Sequence, residues 1–407
     1  MESIITKKGT YKSVFIIFCL AILSSPLNIK ILSAFRIADI FLIISLIIFC
    51  FQNPKIKFSN LFFFSIFFSL LVLSSYLSIF HYKILKIEGL FFYYKYSLIF
   101  ILPWMIVTIV NSSDRLNKII NILYYIFVAL IAWVYIYNFF RHIGIISGHP
   151  RPSFPFTRFD QPDAHVYSSY LAFTVIAYQE YIKNKLKHGI IKSSLIIISS
   201  LIALFLTGSK TGILIICLYF LFIFPRFFLM PTKKDITVIM VTFFTVIALF
   251  FYFSQYHFVN KDFEKLLQRT LTYNFSEATI NTRYNNFFVA LNESLNNYLF
   301  FGSGPTSATQ RFYDGGISII LVHSGLFGIF LLIIALIYIC FRVKLLSKIS
   351  NTHNFYYTFL VLIFLYSLIN IITEHFLITR NFFPIVTLIS SLYANIILIN
   401  SSLSKNY

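Results

Sequence analysis

Apolar stretches close to bilayer-spanning length recur along most of this 407-residue chain. A helix needs about 20 apolar residues to cross the hydrocarbon core of a membrane. Hydrophobic residues make up 58% of the sequence and aromatic residues 20%, which is beyond the composition of soluble globular domains. No polar region between the stretches is long enough to bury a soluble core of its own. The sequence therefore predicts an all-α, polytopic membrane protein with a single domain over residues 1–407.

Hydropathy and charge predict about 12 transmembrane helices with cytoplasmic N- and C-termini. The formal net charge of +19 is concentrated in short loops, which the positive-inside rule explains without a nucleic-acid partner. The clearest cytoplasmic patch is the run of lysines from Lys183 to Lys192. The predicted spans are about 14–27, 37–51, 60–80, 89–110, 119–140, 165–182, one on each side of 206–212, 236–253, 317–340, 355–372 and 384–400.

Two outer loops are long, at about 141–164 and 254–316, and the second lies between helices 9 and 10. Both carry cations on the side where the positive-inside rule does not call for them. Arginine presents a planar fork that matches phosphate oxygens, so the outer cations indicate an anionic ligand such as a lipid-linked diphosphate. Contact with lipid headgroups is the alternative for any single one of them. The cations of interest are Arg151, Arg158, Lys210, Arg283, Arg311 and Arg380.

Metal and nucleotide chemistry find little support in the sequence. Asp160 and Asp163 lack a third carboxylate or histidine close by, and the four cysteines lack the paired spacing of a zinc site. No phosphate-binding loop, dinucleotide fingerprint or nucleophile elbow is present. The sequence therefore predicts no metal and no cofactor, and an activated, lipid-linked substrate would have to supply the energy of any synthesis.

Three motifs together resemble the O-antigen polymerase and O-antigen ligase superfamily of bacterial envelope proteins. The first is RFDQPDA at residues 158–164, and the second is LTGSKTG at residues 206–212. The third is Arg283 followed by FGSGP at 301–305, Asp314, and SGLFG at 324–328. Their order, sides and spacing match the family, as does the late long outer loop. The resemblance implies a GT-C-like helical membrane architecture.

The resemblance also implies an activity and its partners. It implies a metal-independent membrane glycosyltransferase at the periplasmic face of the bacterial inner membrane. This enzyme would join oligosaccharide repeat units carried on undecaprenyl diphosphate, with one lipid-linked chain as donor and another unit as acceptor. Membrane lipid and a chain-length regulator protein are the further partners implied.

Site roles follow from the same resemblance. Such a reaction needs cations to stabilise the departing diphosphate and a base to accept the hydroxyl proton. Arg158 and Arg283 are assigned to the diphosphate, and Asp314 to the base or to orienting the acceptor. The other substrate-binding candidates are Lys210, where the family usually has arginine, and Arg151, Arg311, Arg380, His323, Glu374, Gly302 and Gly304.

Two of these assignments have an alternative explanation that involves no ligand. His323 lies inside a predicted span, where a packed, neutral histidine is the alternative. Gly302 and Gly304 permit a turn near a ligand, but a plain loop turn uses glycine equally well.

Two other functions compete with polymerase. O-antigen ligases carry a His-Asn pair where this chain has Asp314, so the residues favour polymerase over ligase. A flippase or other secondary transporter would place ionisable residues at the membrane midplane and keep its loops short. The lipopolysaccharide pattern of a deletion strain separates polymerase from ligase, because a single attached repeat indicates the former and accumulated unattached polymer the latter.

Overall fold

The structure is a computed structural model. It describes residues 11–27, 30–32, 35–52, 102, 105–106, 108–110, 112–146, 152, 154–155, 164–229, 277–296, 299–302, 318, 321–322, 325–330, 333–334 and 337.

Helices dominate the described residues, as the sequence predicts. The helix α2 and the segment that begins with α4 coincide almost residue for residue with the predicted spans 37–51 and 165–182. In chain order the elements are α1 (Lys12–Ser24), β1 (Lys30–Leu32), β2 (Phe35–Arg36), α2 (Ile37–Gln52), α3 (Ser113–His142), α4 (Ala164–Ala177), a π-helical turn (Tyr178–Ile182), α5 (Lys183–Lys185), α6 (Ile190–Leu206), α7 (Lys210–Leu229) and α8 (Glu277–Asn296).

One helix in the described part of the chain, α3, is long and apolar enough to cross a membrane. Its 30 residues reach about 45 Å at 1.5 Å per residue. The helices α1, α2 and α6 and the stretch Thr211–Phe220 are apolar but shorter. Several predicted spans, such as 60–80 and 355–372, lie outside the described residues, so the count of about 12 stays a prediction.

Large apolar side chains lie on exposed helix faces. In α1, Ile16, Leu20 and Leu23 follow a helical spacing and are exposed, whereas Phe18 and Ile22 are buried. The helix is thus apolar on both sides, a pattern typical of helices buried in a large core or in lipid. In α3 the same pattern is seen, since Tyr125, Val128, Ile136 and Phe139 are exposed.

Several small polar residues are buried among the apolar side chains of the interior. Ser45, Ser168, Ser169 and Ser200 are completely buried. Ser45 and Ser200 each donate a hydrogen bond of 2.7 Å to a carbonyl three residues earlier in the same helix, so their hydroxyls are satisfied. Small residues that let helix backbones approach closely are typical of helix contacts in membranes.

The chain divides into two compact units. Unit 1 draws on Met1–Ser24, Lys30–Leu116 and Phe275–Tyr407, and unit 2 on Ser25–Ile29 and Asn117–Asn274. Two compact units are compatible with one membrane domain, so the single domain over 1–407 stays a prediction.

In unit 1, α1 and α2 pack against each other, and a short antiparallel hairpin of β1 and β2 precedes α2. The backbone N–H of Arg36 donates to the Asp39 carboxylate at 3.0 Å, which caps the start of α2. The guanidinium of Arg115 lies 5.4 Å from the centre of the Phe15 ring and donates to the Ile109 carbonyl at 2.7 Å. The cation is therefore held by a carbonyl and an aromatic face.

Tyrosines fill the interior of unit 2. The hydroxyl of Tyr167 donates to the Leu130 carbonyl of α3 at 2.6 Å, and the ring of Phe154 packs edge-on against Tyr167 and Tyr170. The hydroxyls of Tyr170 and Ser25 lie 3.1 Å apart. A buried tyrosine needs a partner for its hydroxyl, and these contacts fix α4 against α3.

Candidate functional site

Two helices that begin within sequence motifs meet in unit 2. The helix α4 begins at Ala164, the last residue of RFDQPDA, and α7 begins at Lys210, in the middle of LTGSKTG. Near these starts, Gly212 of α7 lies directly against Ser168 of α4. A Cβ added at Gly212 would lie 2.8 Å from the Ser168 carbonyl oxygen and 2.9 Å from its Cβ. Only glycine permits so close an approach of the two backbones.

Hydroxyl groups fix the same contact. Ser168 Oγ donates to Ser209 Oγ at 2.8 Å, and the backbone N–H of Ser209 donates to Thr207 Oγ1 at 3.4 Å. Thr207 Oγ1 in turn donates to the Leu204 carbonyl at 2.6 Å. Ser168, Ser209 and Thr207 are all buried. Between α6 and α7 the backbone turns at Gly208, whose φ of +59° favours glycine.

A second contact sets the relative direction of the two helices. The hydroxyl of Tyr219 in α7 donates to the Glu180 carboxylate in the π-helical turn that continues α4. Both contacts advance towards the C-terminus along both helices, from Ser168 to Glu180 and from Gly212 to Tyr219. The two helices therefore run in the same direction, with their N-termini at one end.

That common end is electrostatically suited to an anion. A helix N-terminus carries a partial positive charge from its aligned peptide dipoles and presents backbone N–H groups. The start of α7 is also occupied by Lys210, which adds a full positive charge to the chain at this point. RFDQPDA leads directly into the start of α4. The starts of α4 and α7 thus form one end at which phosphate oxygens are favoured.

The third motif forms its own cluster in unit 1. The N–H of Leu326 donates to the Leu299 carbonyl at 2.9 Å, and the N–H of Phe327 donates to the Phe300 carbonyl at 3.0 Å. These bonds join the turn at residues 299–302 to the helical residues 325–330. Parts of FGSGP and SGLFG are therefore held together by backbone contacts.

Two glycines make this junction possible. Gly302 and Gly325 have φ of +72° and +63°, in the left-handed region that other residues disfavour. A Cβ on Gly325 would lie 2.5 Å from both the carbonyl carbon and the oxygen of Phe300. Gly302 follows the turn at residues 299–301 in a left-handed conformation, and its predicted role near a ligand stays a prediction.

The helix α8 carries Arg283 and packs beside this junction. Ala290 of α8 and Val322 are buried together, and Ser294 Oγ of α8 donates to the Leu321 carbonyl at 3.4 Å. Arg283 precedes Ala290 by seven residues, which places both residues on the same face of α8. Leu321 and Val322 thus pack against the helix that carries Arg283.

The predicted site residues are described to different extents. For Lys210 and Arg283 the structure gives the helix position, and Gly302 is fully described. Outside the described residues lie Arg151, Arg158, Gly304, Arg311, Asp314, His323, Glu374 and Arg380. Their roles stay predictions.

Sequence reasoning missed Ser168, Glu180 and Tyr219 in unit 2, and it gave Ser209 of the LTGSKTG motif no role of its own. Consecutive serines at 168 and 169 inside an apolar span were the available signal, because small polar residues in such spans indicate a helix contact. Within the described residues, no group of three or more histidine, cysteine or acidic side chains could hold a metal ion. The predicted absence of a metal stays a prediction.

Comparison with protein-family models finds no match for this chain, and comparison with curated proteins finds none either.

Proposed function

We propose that the chain is a membrane glycosyltransferase that polymerises oligosaccharide repeat units carried on undecaprenyl diphosphate. The observation that carries this proposal is the contact between Ser168 and Gly212. It supports a shared anion site because it brings together the starts of α4 and α7, which adjoin two motifs of the polymerase resemblance in the sequence. A diphosphate leaving group is the anion that such a reaction releases.

Membrane insertion is part of the proposal. Exposed apolar faces on α1 and α3, combined with buried serines, are favourable in lipid and costly in water. We infer that α3 spans the bacterial inner membrane, and that the starts of α4 and α7 lie at its periplasmic side. The long loop between the ninth and tenth of about 12 spans would lie on that side as well.

The chemistry is a substitution at the sugar carbon that carries the diphosphate. The acceptor hydroxyl loses its proton to Asp314, and its oxygen forms a bond to this carbon. The carbon–oxygen bond to the diphosphate breaks, and its electron pair leaves with the phosphate oxygen. Arg158, Arg283 and Lys210 stabilise the negative charge that accumulates there. The proposed reaction uses no metal, because the arginine and lysine side chains stabilise this charge.

Complementation of a polymerase-null strain tests this function. Alanine at Arg158, Arg283 or Asp314 should abolish the polysaccharide ladder, because each removes a group that acts in the transition state. The proposal fails if all three variants restore full-length ladders at wild-type protein levels. A deletion strain that accumulates finished, unattached polymer would indicate a ligase instead.

Two variants of Lys210 test the role of its charge in the same complementation experiment. Lys210→Ala should lower polymer formation by about tenfold or more, equivalent to about 1.4 kcal/mol of transition-state stabilisation. Lys210→Arg keeps the charge and adds a bidentate fork, so it should retain activity. Equal loss in both variants would point to a structural role of the lysine rather than to charge.

A further inference from the structure

The short helix α5 ends in a turn with lysine at the position where glycine is usual. The N–H of Lys187 donates to the Asn184 carbonyl at 3.3 Å, and the N–H of His188 donates to the Lys183 carbonyl at 2.9 Å. This pair of bonds is a Schellman motif, whose left-handed residue is most often glycine. Lys187 has a φ of +52°, which residues with a Cβ resist. The chain thus keeps a cation where backbone geometry favours glycine.

Aromatic contacts hold the residues that follow this turn. The Tyr178 hydroxyl lies 3.0 Å from Nδ1 of His188, and the ring of Tyr124 meets the His188 ring edge-on at 5.0 Å. The ammonium of Lys192 lies 5.7 Å from the centre of the Tyr124 ring. The segment from Lys187 to Lys192 is therefore fixed against α3 and the π-helical turn, so its cations are positioned before a ligand binds.

Charge and apolar surface lie side by side here. The segment 183–192 contains four lysines and no acidic residue, and Lys187 and Lys192 are exposed. At the start of α6, Ile191 is 79% exposed and Leu195 is 62% exposed. These two side chains are four residues apart and so share one helix face. A cationic end beside an exposed apolar face matches a phospholipid, whose headgroup is charged and whose chains are apolar.

We propose that this surface, defined by Lys187, Lys192, Ile191 and Leu195, binds an anionic phospholipid. The headgroup phosphate binds to the two lysines, and an acyl chain lies along Ile191 and Leu195. The site lies at the opposite end of the α4 segment from the candidate active site, at the side predicted to be cytoplasmic. The inference rests on the proposed membrane insertion and not on glycosyl transfer.

Purified full-length protein tests the proposal in detergent and in nanodiscs that contain phosphatidylcholine with or without phosphatidylglycerol. Lys187→Gly is the decisive variant because its two effects have opposite signs. Glycine relieves the left-handed backbone and should raise the unfolding temperature in detergent without lipid. Loss of the charge should lower the affinity for phosphatidylglycerol by about fivefold, measured by native mass spectrometry.

Control variants separate this site from general surface charge. Lys192→Gln should weaken phosphatidylglycerol binding by a similar factor of about five. Lys12→Gln removes an exposed cation from unit 1 and should leave the affinity unchanged. Wild-type affinity in Lys187→Gly, or equal weakening in Lys12→Gln, overturns the proposal.

The last test compares the lipid with soluble anions. Inorganic phosphate and glycerol phosphate should not raise the unfolding temperature at concentrations where phosphatidylglycerol does. Equal stabilisation by inorganic phosphate would identify a soluble anion as the ligand and overturn the lipid proposal. Failure of the protein to enter nanodiscs overturns the membrane premise together with this inference. A loss of polymer formation alone bears only on the glycosyltransferase proposal.

Discussion

The Cα of Gly212 lies so close to Ser168 that a single added methyl group would overlap the Ser168 backbone. Ser168 belongs to a predicted transmembrane segment and Gly212 to the predicted turn at 206–212, but only their contact brings the starts of α4 and α7 together. The position of Lys210 relative to the α4 start depends on this contact.

Gly212→Ala should therefore destabilise the protein and impair its function together. The added methyl group has to push α7 away from α4, and overpacking of this kind costs about 1–3 kcal/mol. Thermal unfolding in detergent measures the loss, and the polysaccharide ladder reports the activity. Ala132→Leu is the matched control, because it adds more volume at an exposed position of α3. Equal stability of the Gly212 variant and the wild type would mean that the helices do not approach this closely.

Gly325→Ala should be more damaging than Gly212→Ala. The left-handed backbone at Gly325 costs an alanine about 1–2 kcal/mol, and the overlap with the Phe300 carbonyl adds about 1–3 kcal/mol. We expect the turn at 299–302 to separate from residues 325–330, which limited proteolysis detects as new cleavage in this region. Leu326→Ala, at an exposed neighbouring position, should be cleaved no faster than wild type. Identical proteolysis of all three proteins would contradict the junction.

Tyr219 and Glu180 should be energetically coupled. Tyr219→Phe removes the donor to the Glu180 carboxylate, and hydrogen bonds to charged groups contribute about 1.5–3 kcal/mol. Glu180→Gln weakens the same bond from the other side. A double-mutant cycle on unfolding free energies isolates the interaction. Strictly additive single-variant effects would show that the bond contributes nothing to the fixed direction of α4 and α7.

Protonation of His188 should lower the stability of unit 2 as the pH falls below neutral. Burial, and secondarily the positive charge of Lys192, lower the pKa of His188 below its ordinary value of 6.5. The unfolded chain then binds the proton more readily than the folded one. This stability contribution is complete above pH 6.5 and is lost as the pH falls from there through the lowered folded value.

Unfolding temperatures measured from about pH 8 to about pH 5 follow this loss. His188→Gln should flatten the profile, because glutamine does not titrate. Lys192→Gln should reduce the loss, because removal of the neighbouring charge raises the pKa of His188 towards its ordinary value. An unchanged slope in the His188 variant would assign the titration to another group.

Helix positions could be predicted because the physical signals for them are local. The helix α2, for example, ends at Gln52, just before Asn53 and Pro54, where proline disfavours helix in the preceding residue. The turn at Gly208 could likewise be placed, since glycine and polar residues interrupt two apolar stretches.

The remaining features could not be predicted from the sequence. They depend on contacts between residues far apart in the chain, or they lack a hydropathy pattern that would reveal a helix. The helix α8 lies within the predicted loop 254–316, and its sequence is too polar to stand out by hydropathy. Its helical structure is supported by packing, such as that of Ala290 with Val322, which no local pattern reveals. The hydrogen bond from Ser168 to Ser209 joins residues 41 positions apart, so spacing alone could not predict it.

The π-helical turn at Tyr178–Ile182 is an α-helix with one extra residue inserted. Deletion of one residue there would restore the regular α-helix, because the wide turn holds the extra residue within a single turn. The helix after Ile182 would then keep about the same direction and rotation. A related chain could therefore gain or lose one codon at this turn without redirecting the basic loop that follows.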